Sequence, residues 1–326
     1  MIGFVRGLIS DVSESPRSLR SPTISLHILP MHCLMVGFIR KIIVIFIAAL
    51  LASIAPCPAL VGDVTVSGSS TVMPLAEAAA EEFNVLQDDY VIAVSAGGTG
   101  AGILGIAERK NDIAMASRRV TDEETQRFGA SFREYAVGLD GISIAVSWDV
   151  YMAGVTGLTR AQIRNIYAGN ITNWKELGGP DKDIYAIARE EGSGTRDSFN
   201  EEVMGSPDAE TPGIDTVAMG SAEVKTAINA SDRAIGYLGF NYLGSGVSGI
   251  AYNGVMPTFD NIKLDLYDLH RHLYFYTYGY PSPGAQAFID YVQGEAGQSI
   301  AAEQGFVPIA AVSSSRSNGT ADINLT

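Results

Sequence analysis

The stretch REEGSGTR, residues 189–196, combines two arginines with a serine, a threonine and two glycines in eight positions. Arg189 ends the apolar segment DIYAIAR, which is typical of a buried strand, and a helix is predicted to begin near Thr195. A loop between a strand and a helix presents unpaired backbone N–H groups, and hydroxyls beside them add donors. An arginine fork suits the oxygens of a tetrahedral oxyanion. The segment therefore predicts an anion-binding loop.

Two other turns have a similar composition. The sequences GSST, residues 68–71, and GGTGAG, residues 97–102, each follow a predicted strand and precede a predicted helix. Either turn alone is equally typical of an ordinary helix cap. Ligands of parallel α/β sheets bind beyond the carboxyl ends of the strands, where such turns meet. Three turns of this kind, together with arginines, therefore indicate one shared anion site.

Strands and helices are predicted to alternate along most of the chain. Residues 90–95 and 113–116 are predicted strands in the first half, and GISIAVS, residues 141–147, is a predicted buried strand. HLYFYT, residues 272–277, is another strand near the end of the chain. Alternation of this kind predicts an α/β fold built on parallel sheets.

Composition excludes several classes of protein. The 326 residues are 47% hydrophobic and suffice for about two domains. The net charge of -14 and the lack of a basic stripe argue against a nucleic-acid partner. Cys33 and Cys57 both precede the first domain strand, so no disulfide framework is expected in the folded body. His270 and His272 lack further metal-ligand partners, and we predict neither a metal site nor a cofactor.

The N-terminal region is interpreted as a targeting segment. Residues 35–61 contain a basic start, an apolar run over residues 42–51 and small residues up to Ala59, which is the pattern of a secretory signal. The run is shorter than a membrane span of about 20 residues. A lipid on Cys57 and an uncleaved anchor are alternatives. We exclude residues 1–34 from the fold and expect an extracytoplasmic protein.

An enzymatic interpretation competes with simple binding. GAGILG, residues 100–105, matches GxGxxG after a strand and is a candidate dinucleotide site. The next strand ends at Ser117, Arg118 and Arg119 instead of an acid, which suits at best the 2'-phosphate of NADP. There is no Walker lysine and no GxSxG motif, and a secretory segment disfavours an NADP-dependent enzyme. We predict that the protein is not an enzyme.

Six segments together resemble one family, the extracytoplasmic phosphate-binding proteins of ABC-type phosphate importers. In chain order they are GSSTVMPLAEAAAEEF, GGTGAGILGIAERKNDIAMASR, IRNIYAGNITNWKELGG, REEGSGTRDSF, AIGYLGF and GQSIAAEQGFVPI. The resemblance covers about residues 63–310. It implies a two-lobed Venus-flytrap fold of class II, in which each lobe is a mostly parallel sheet flanked by helices. It also implies hinge closure on one phosphate ion without chemistry.

The same resemblance implies the domain boundaries and partners. With GISIAVS and HLYFYT as crossovers, lobe I is residues 62–142 plus 270–312, lobe II is residues 143–269, and residues 313–326 form a flexible tail. The expected partners are inorganic phosphate and the permease subunits of the membrane. The protein itself is expected to be a monomer. A phosphate-sensing or adhesion receptor of the same fold, without a transporter, is the main alternative.

The family's motifs, matched position by position, imply a set of phosphate contacts. These come from Ser70, Thr71, the backbone N–H of Val72, Thr99, Arg189, Ser193, Gly194 and Thr195. Arg118 departs from the best-known members, in which an Asp accepts a hydrogen bond from protonated phosphate and so rejects sulfate, which has no proton to donate. We expect Arg118 to raise affinity for any oxyanion. Asp140, just before the first crossover strand, is the candidate acceptor, although a turn cap before Gly141 is an equal alternative.

Overall fold

The computed structural model describes residues 62–244 and 246–309, which form alternating strands and helices. The strands are β1 Gly62–Gly68, β2 Tyr90–Ala96, β3 Ile113–Ala116, β4 Phe132–Ser147, β5 Gly157–Leu158, β6 Tyr185–Arg189, β7 Thr216–Ala218, β8 Ala234–Gly239, β9 Val247–Gly249, β10 Ala251–Tyr252 and β11 His270–Tyr278. The α-helices are α1 Met73–Leu86, α2 Thr99–Ala107, α3 Asp122–Phe128, α4 Trp148–Met152, α5 Arg160–Tyr167, α6 Gly194–Phe199, α7 Ser221–Asn229, α8 Phe259–Lys263, α9 Pro283–Gln293 and α10 Glu295–Glu303.

Several predictions concern parts of the chain outside the described residues. These are the upstream segment 1–34, the targeting segment 35–61 with Cys57, and the tail 313–326. Within the two described ranges, no helix has both the length and the hydropathy that crossing a membrane requires.

The strands form a nine-stranded sheet in the order β2-β1-β3-β11-β4-β8-β6-β7, with β9 also paired to β4. Strand β1 is parallel to β2 and β3, and β6 is parallel to β7 and β8. The antiparallel pair β4 and β11 lies between these two parallel groups. The α/β prediction is therefore confirmed, and two crossover strands connect its parallel halves.

Two large hydrophobic cores lie on either side of the crossover pair. The first core, between the sheet and helices α1, α9 and α10, includes Val66, Leu75, Met115, Phe275 and Phe288. The second core includes Ile144, Tyr167, Trp174, Phe199 and Tyr237. Burying one such side chain contributes about 1.5–3 kcal/mol, so each core supports its own part of the chain. We call the parts packed on these cores the first lobe and the second lobe.

Strand β4 begins nine residues earlier than the sequence predicted, at Phe132 instead of Gly141. Its residue Val137 packs in the first core and Ile144 in the second, so one continuous strand passes through both lobes. Asp140 consequently lies inside a strand and does not cap a turn, which corrects the turn-cap alternative. The segment FREYAVGLD is not predicted as a strand because it lacks regular apolar alternation. Its hydrogen bonds to β11 form the strand nevertheless.

Candidate functional site

Arg189, at the end of β6, is a buried arginine with partners from both lobes. Arg189 is only 1% exposed to solvent. Its Nε and Nη2 each donate to the Glu190 carboxylate at 2.7 Å. Nη1 donates to the Ser221 hydroxyl at 3.1 Å, and Nη2 donates to the Ser70 hydroxyl at 3.0 Å. The guanidinium plane is therefore held rigidly between the second lobe and the first loop of the first lobe.

Arg271, on β11, is a second buried arginine at the same junction. Its Nη1 donates to the Gly194 carbonyl oxygen at 3.1 Å, and Nη2 donates to the Thr195 hydroxyl at 2.9 Å. The same Nη2 lies 3.1 Å from Asp140 Oδ2 and 3.4 Å from Thr71 Oγ1. Burial lowers the pKa of this guanidinium, and Asp140 opposes that change. The Nε is buried without a hydrogen-bond partner among the described residues.

Sequence reasoning did not include Arg271 among the site residues. The predicted strand HLYFYT began at His272 and the predicted strand GISIAVS at Gly141, so the charged residue before each lay outside its strand. In the structure Asp140 and Arg271 are direct register partners of β4 and β11. Extending each predicted crossover strand by one residue would have included both of these opposite charges.

The hydroxyls of Thr71 and Thr195 meet between the lobes. Their Oγ1 atoms are 3.0 Å apart, and both threonines are buried. Thr71 precedes α1 of the first lobe, and Thr195 lies in the first turn of α6 of the second lobe. The structure thus brings two predicted contact residues, 124 positions apart in the chain, to one point beside Arg271.

Thr99 and Gly194 contact each other across the same junction. Thr99 Oγ1 accepts a hydrogen bond from the Ser117 backbone N–H at 3.2 Å and lies 3.3 Å from the Ser117 hydroxyl. A Cβ added at Gly194 would lie 2.6 Å from Thr99 Oγ1 and 2.7 Å from Ser117 Oγ. Only glycine permits this approach, so the second loop of the first lobe fits directly onto the start of α6.

Val72 and Ser193 use their polar groups inside their own loops. The Val72 N–H donates to the Ser69 carbonyl oxygen at 3.1 Å. The Ser193 hydroxyl accepts from the Arg196 N–H at 3.4 Å and caps α6. Both residues are buried beside the junction, and in this conformation both serve to shape the loops.

Arg118 is directed toward carboxylates instead of toward the two threonines. Its Nε donates to Asp197 at 2.6 Å, and Nη1 and Nη2 donate to the two oxygens of Glu124 at 2.8 and 2.9 Å. Burial acts to lower the pKa of Arg118, but the two carboxylates outweigh it and the pKa is raised. Its partners are two carboxylates and the Arg119 carbonyl oxygen, whereas Arg189 and Arg271 also donate to hydroxyl groups at the junction of the lobes.

Asp140, on β4, is the carboxylate partner of Arg271. Its Oδ2 accepts from Arg271, and its Oδ1 accepts from the Phe240 backbone N–H at 3.1 Å. Burial raises the pKa of this carboxyl, although Arg271 and Phe240 oppose the change. Each carboxylate oxygen accepts one of these protein bonds and keeps a second lone pair.

Two tyrosines, also absent from the sequence-based set, position the loops. Tyr242 of the second lobe donates its hydroxyl to the Ser70 carbonyl oxygen at 3.0 Å. Burial raises the pKa of Tyr242 to about 12, so the hydroxyl remains a donor at neutral pH. The Tyr237 hydroxyl accepts a hydrogen bond from the Arg189 backbone N–H at 3.1 Å. The Tyr237 ring stacks on Phe199 of α6.

The glycines of the GxGxxG match serve packing in the structure. Gly100 donates its N–H to the Gly192 carbonyl oxygen at 3.0 Å, which is another contact between the lobes. A Cβ at Gly102 would lie 2.7 Å from the Ser67 carbonyl oxygen, because α2 packs closely on β1. These contacts disfavour the dinucleotide alternative.

The chain is similar in sequence and fold to known binding proteins. The family model described as PBP superfamily domain matches residues 55–296. The phosphate-binding protein PstS of Bacillus subtilis is 34% identical over 251 residues, which cover 76% of this chain and 81% of that protein. PstS of Staphylococcus saprophyticus is 30% identical over 265 residues, covering 76% of this chain and 81% of that protein.

Solved structures give the same result. A putative phosphate ABC transporter substrate-binding protein from Clostridium perfringens, with bound phosphate, has a TM-score of 0.71 and 35% identity, covering 76% of this chain and 100% of its own. An ABC-type phosphate transport receptor from Vibrio cholerae has a TM-score of 0.63 and 31% identity, with the same coverage. The described residues therefore have the two-lobed periplasmic-binding fold, and the chain belongs to the PstS family of phosphate-binding proteins within the PBP superfamily.

Proposed function

We propose that this chain is a solute-binding protein that captures inorganic phosphate between its two lobes and delivers it to an ABC-type importer. The observation that carries the proposal is the meeting of two buried arginines, Arg189 and Arg271, with hydroxyl groups from both lobes. The bound phosphate in the Clostridium perfringens relative, at 35% identity, supports the same ligand here.

The donors fit a tetrahedral oxyanion. We infer that Arg189 and Arg271 supply charge and that Ser70, Thr71 and Thr195 supply hydroxyl donors. A second set of residues holds these donors in position, namely Thr99, Ser193, Gly194 and the backbone turn at Val72. Guanidinium forks and hydroxyls are strong donors to phosphate oxygens, and burial strengthens each bond. At about 1.5 kcal/mol per heavy atom, a ligand of five heavy atoms gains roughly 7.5 kcal/mol, which corresponds to micromolar affinity, and charge-assisted bonds exceed this value modestly.

Binding would couple the anion to closure of the lobes. We assign lobe I to residues 62–142 plus 270–312 and lobe II to residues 143–269, with β4 and β11 as the hinge strands. The bonds Arg189 to Ser70, Thr71 to Thr195 and Tyr242 to Ser70 connect these lobes directly. An ion that contacts both lobes favours the closed state over the open state by its differential contacts.

Asp140 is our candidate for selectivity. Phosphate carries a proton near neutral pH and sulfate does not, so an acceptor favours phosphate. The Asp140 carboxylate lies within 3.1 Å of the Arg271 guanidinium that contacts both threonines, and its oxygens keep lone pairs. We expect Asp140→Asn to bring the affinities for phosphate and sulfate closer together.

The wider role follows from the same assignment. We infer reversible binding without chemical turnover, a monomer that docks on permease subunits, and an extracytoplasmic location reached through the N-terminal targeting segment. The Clostridium perfringens relative, named as an ABC transporter substrate-binding protein, supports the transport partner.

Isothermal titration of the full-length protein, freed of bound ligand by unfolding and refolding, tests the function. At pH 8 we expect micromolar or tighter binding of phosphate and binding of sulfate weaker by at least about 100-fold, the worth of one or two charge-assisted bonds. Arg189→Lys keeps the charge but loses the fork, and should weaken phosphate binding about 10- to 100-fold. Arg160→Lys, at an exposed position of α5, is the matched control.

Two results would change the assignment. Equal affinity for phosphate and sulfate would make the protein a general oxyanion receptor and would remove the selectivity role of Asp140. Binding of neither anion would overturn the proposed function.

A further inference from the structure

Arg118 connects the two lobes at a place separate from the buried threonines. It follows β3 of the first lobe and donates to Asp197 of α6, in the second lobe, at 2.6 Å. Its two Nη atoms donate to Glu124, and Nη1 also donates to the Arg119 carbonyl oxygen at 2.9 Å. The three ionised side chains are each between 14% and 21% exposed, so this is a largely desolvated ion pair between lobes.

The first lobe holds Arg118 in a fixed direction. Glu124 lies in α3, where its Oε2 accepts from the Thr121 N–H at 2.8 Å and the Thr121 hydroxyl accepts from the Glu124 N–H in return. The capped helix therefore fixes the carboxylate, and the two bonds from Glu124 fix the guanidinium. Among the hydrogen bonds of Arg118, only the bond to Asp197 crosses to the second lobe, so opening of the lobes leaves its other bonds intact.

Asp197 connects this ion pair to the candidate anion site. It lies two residues after Thr195 in α6, and its backbone N–H donates to the Ser193 carbonyl oxygen at 3.0 Å. The Arg118 side chain also passes over the start of α6, because a Cβ at Gly194 would lie 3.1 Å from Arg118 Cγ. Any movement of Asp197 therefore also moves the helical turn that contains Thr195.

The side chains of Arg118 and Asp197 are both partly exposed to solvent. Arg118 and Asp197 line a groove of about 850 Å³ between the lobes, together with Gly100 and Gly192. Burial raises the pKa of Asp197, and the hydrogen bond from Arg118 acts against that change. Arg118 therefore stabilises the ionised form of Asp197 in the packed arrangement.

We propose that Arg118 is a positioning residue that fastens α6 to the first lobe through Asp197 when the lobes close, and that it does not itself bind the oxyanion. The inference rests on the proposed phosphate-binding function. Arg118 follows Ala116 and Ser117, and in this chain that position stabilises the closed lobes. Other groups determine the selectivity between phosphate and sulfate. Losing the pair should speed the release of phosphate and leave its association rate and its preference over sulfate unchanged.

The test compares Asp197→Asn with Asp232→Asn in the full-length protein. Asp232 forms an ion pair of the same length, 2.6 Å, with Lys182, but both residues belong to the second lobe. We expect stopped-flow measurements to give phosphate dissociation about 10-fold faster for Asp197→Asn, the worth of about 1.4 kcal/mol, and unchanged for Asp232→Asn. Sulfate binding should change by the same factor as phosphate binding.

A second variant separates fastening from direct contact. Arg118→Gln should weaken phosphate binding in the wild-type background but have little further effect in the Asp197→Asn background. A full additional loss in that background would mean that Arg118 contacts the ion, and it would overturn the proposal. Unchanged dissociation in Asp197→Asn would overturn it as well.

Small-angle X-ray scattering distinguishes failure of this inference from failure of the proposed function. Without phosphate, Asp197→Asn should have a larger radius of gyration than wild type or Asp232→Asn, because fewer molecules are closed. If wild type binds no phosphate, the proposed function fails while this comparison still tests the fastening. An identical radius for all three proteins would overturn the inference.

Discussion

Asp140 and Arg271 face each other across the two crossover strands, with Oδ2 of one 3.1 Å from Nη2 of the other. Both residues are buried, and Arg271 continues to the Thr71 and Thr195 hydroxyls of the two lobes. A buried charge is tolerated only with a partner, because desolvation costs several kcal/mol per ion. The ion pair of β4 and β11 and the candidate anion site are therefore one connected structure.

The first prediction concerns the stability of this pair. Arg271→Met leaves the Asp140 carboxylate buried without its cation, and we expect the free energy of unfolding to fall by about 3–5 kcal/mol. The double variant Asp140→Asn/Arg271→Met should be more stable than Arg271→Met alone, because no unpaired charge remains. Urea denaturation of the wild type, both single variants and the double variant measures the coupling. Simple additivity of the two losses would contradict the connection.

The second prediction concerns pH. Burial raises the pKa of Asp140 above its ordinary value, so the folded protein binds this proton more tightly than the unfolded chain. The contribution of Asp140 to stability is then fully present below the ordinary pKa of an aspartate and is lost as the pH rises through the folded value. The free energy of unfolding of wild type, relative to Asp140→Asn, should increase from pH 7 to pH 4.

Denaturation series at several pH values measure this difference. The slope for one proton is at most about 1.4 kcal/mol per pH unit. A wild type that loses stability relative to Asp140→Asn as the pH falls would mean that Arg271 dominates over burial and that the pKa is lowered.

The third prediction concerns the close approach of the lobes at Gly194. Gly194→Ala introduces a Cβ within 2.6 Å of Thr99 Oγ1 and 2.7 Å of Ser117 Oγ, so the second loop must move away from α6. We expect phosphate affinity to fall by at least about 10-fold, since about 1–3 kcal/mol is typical for an overpacked contact. Calorimetric titration with phosphate measures it.

Gly97→Ala is the matched control for this variant. Gly97 lies in the same second loop, and the nearest atom to an added Cβ would be the Ala101 Cβ at 3.7 Å. The control should bind phosphate as wild type does. Equal losses in both variants would mean that the loop is sensitive to any substitution, and the contact at Gly194 would have no special role.

Local sequence determined much of the candidate site. REEGSGTR has Arg189 at the end of a strand and a helix that begins at Gly194, next to the predicted start near Thr195, because apolar periodicity and capping chemistry act over a few residues. The α/β alternation and the resemblance of ordered motifs likewise led to the two-lobed fold of the family. These properties are carried by neighbouring residues, so they are visible in one sequence.

Only the tertiary structure decided which charges meet. Arg271 pairs with Asp140 from 131 positions away, and Arg118 pairs with Asp197 from 79 positions away. Both partners depend on strand register and on the packing of one lobe against the other. A single sequence specifies donors and acceptors, but it does not specify which of them share a buried volume, because that pairing arises when distant segments exclude water from the same place.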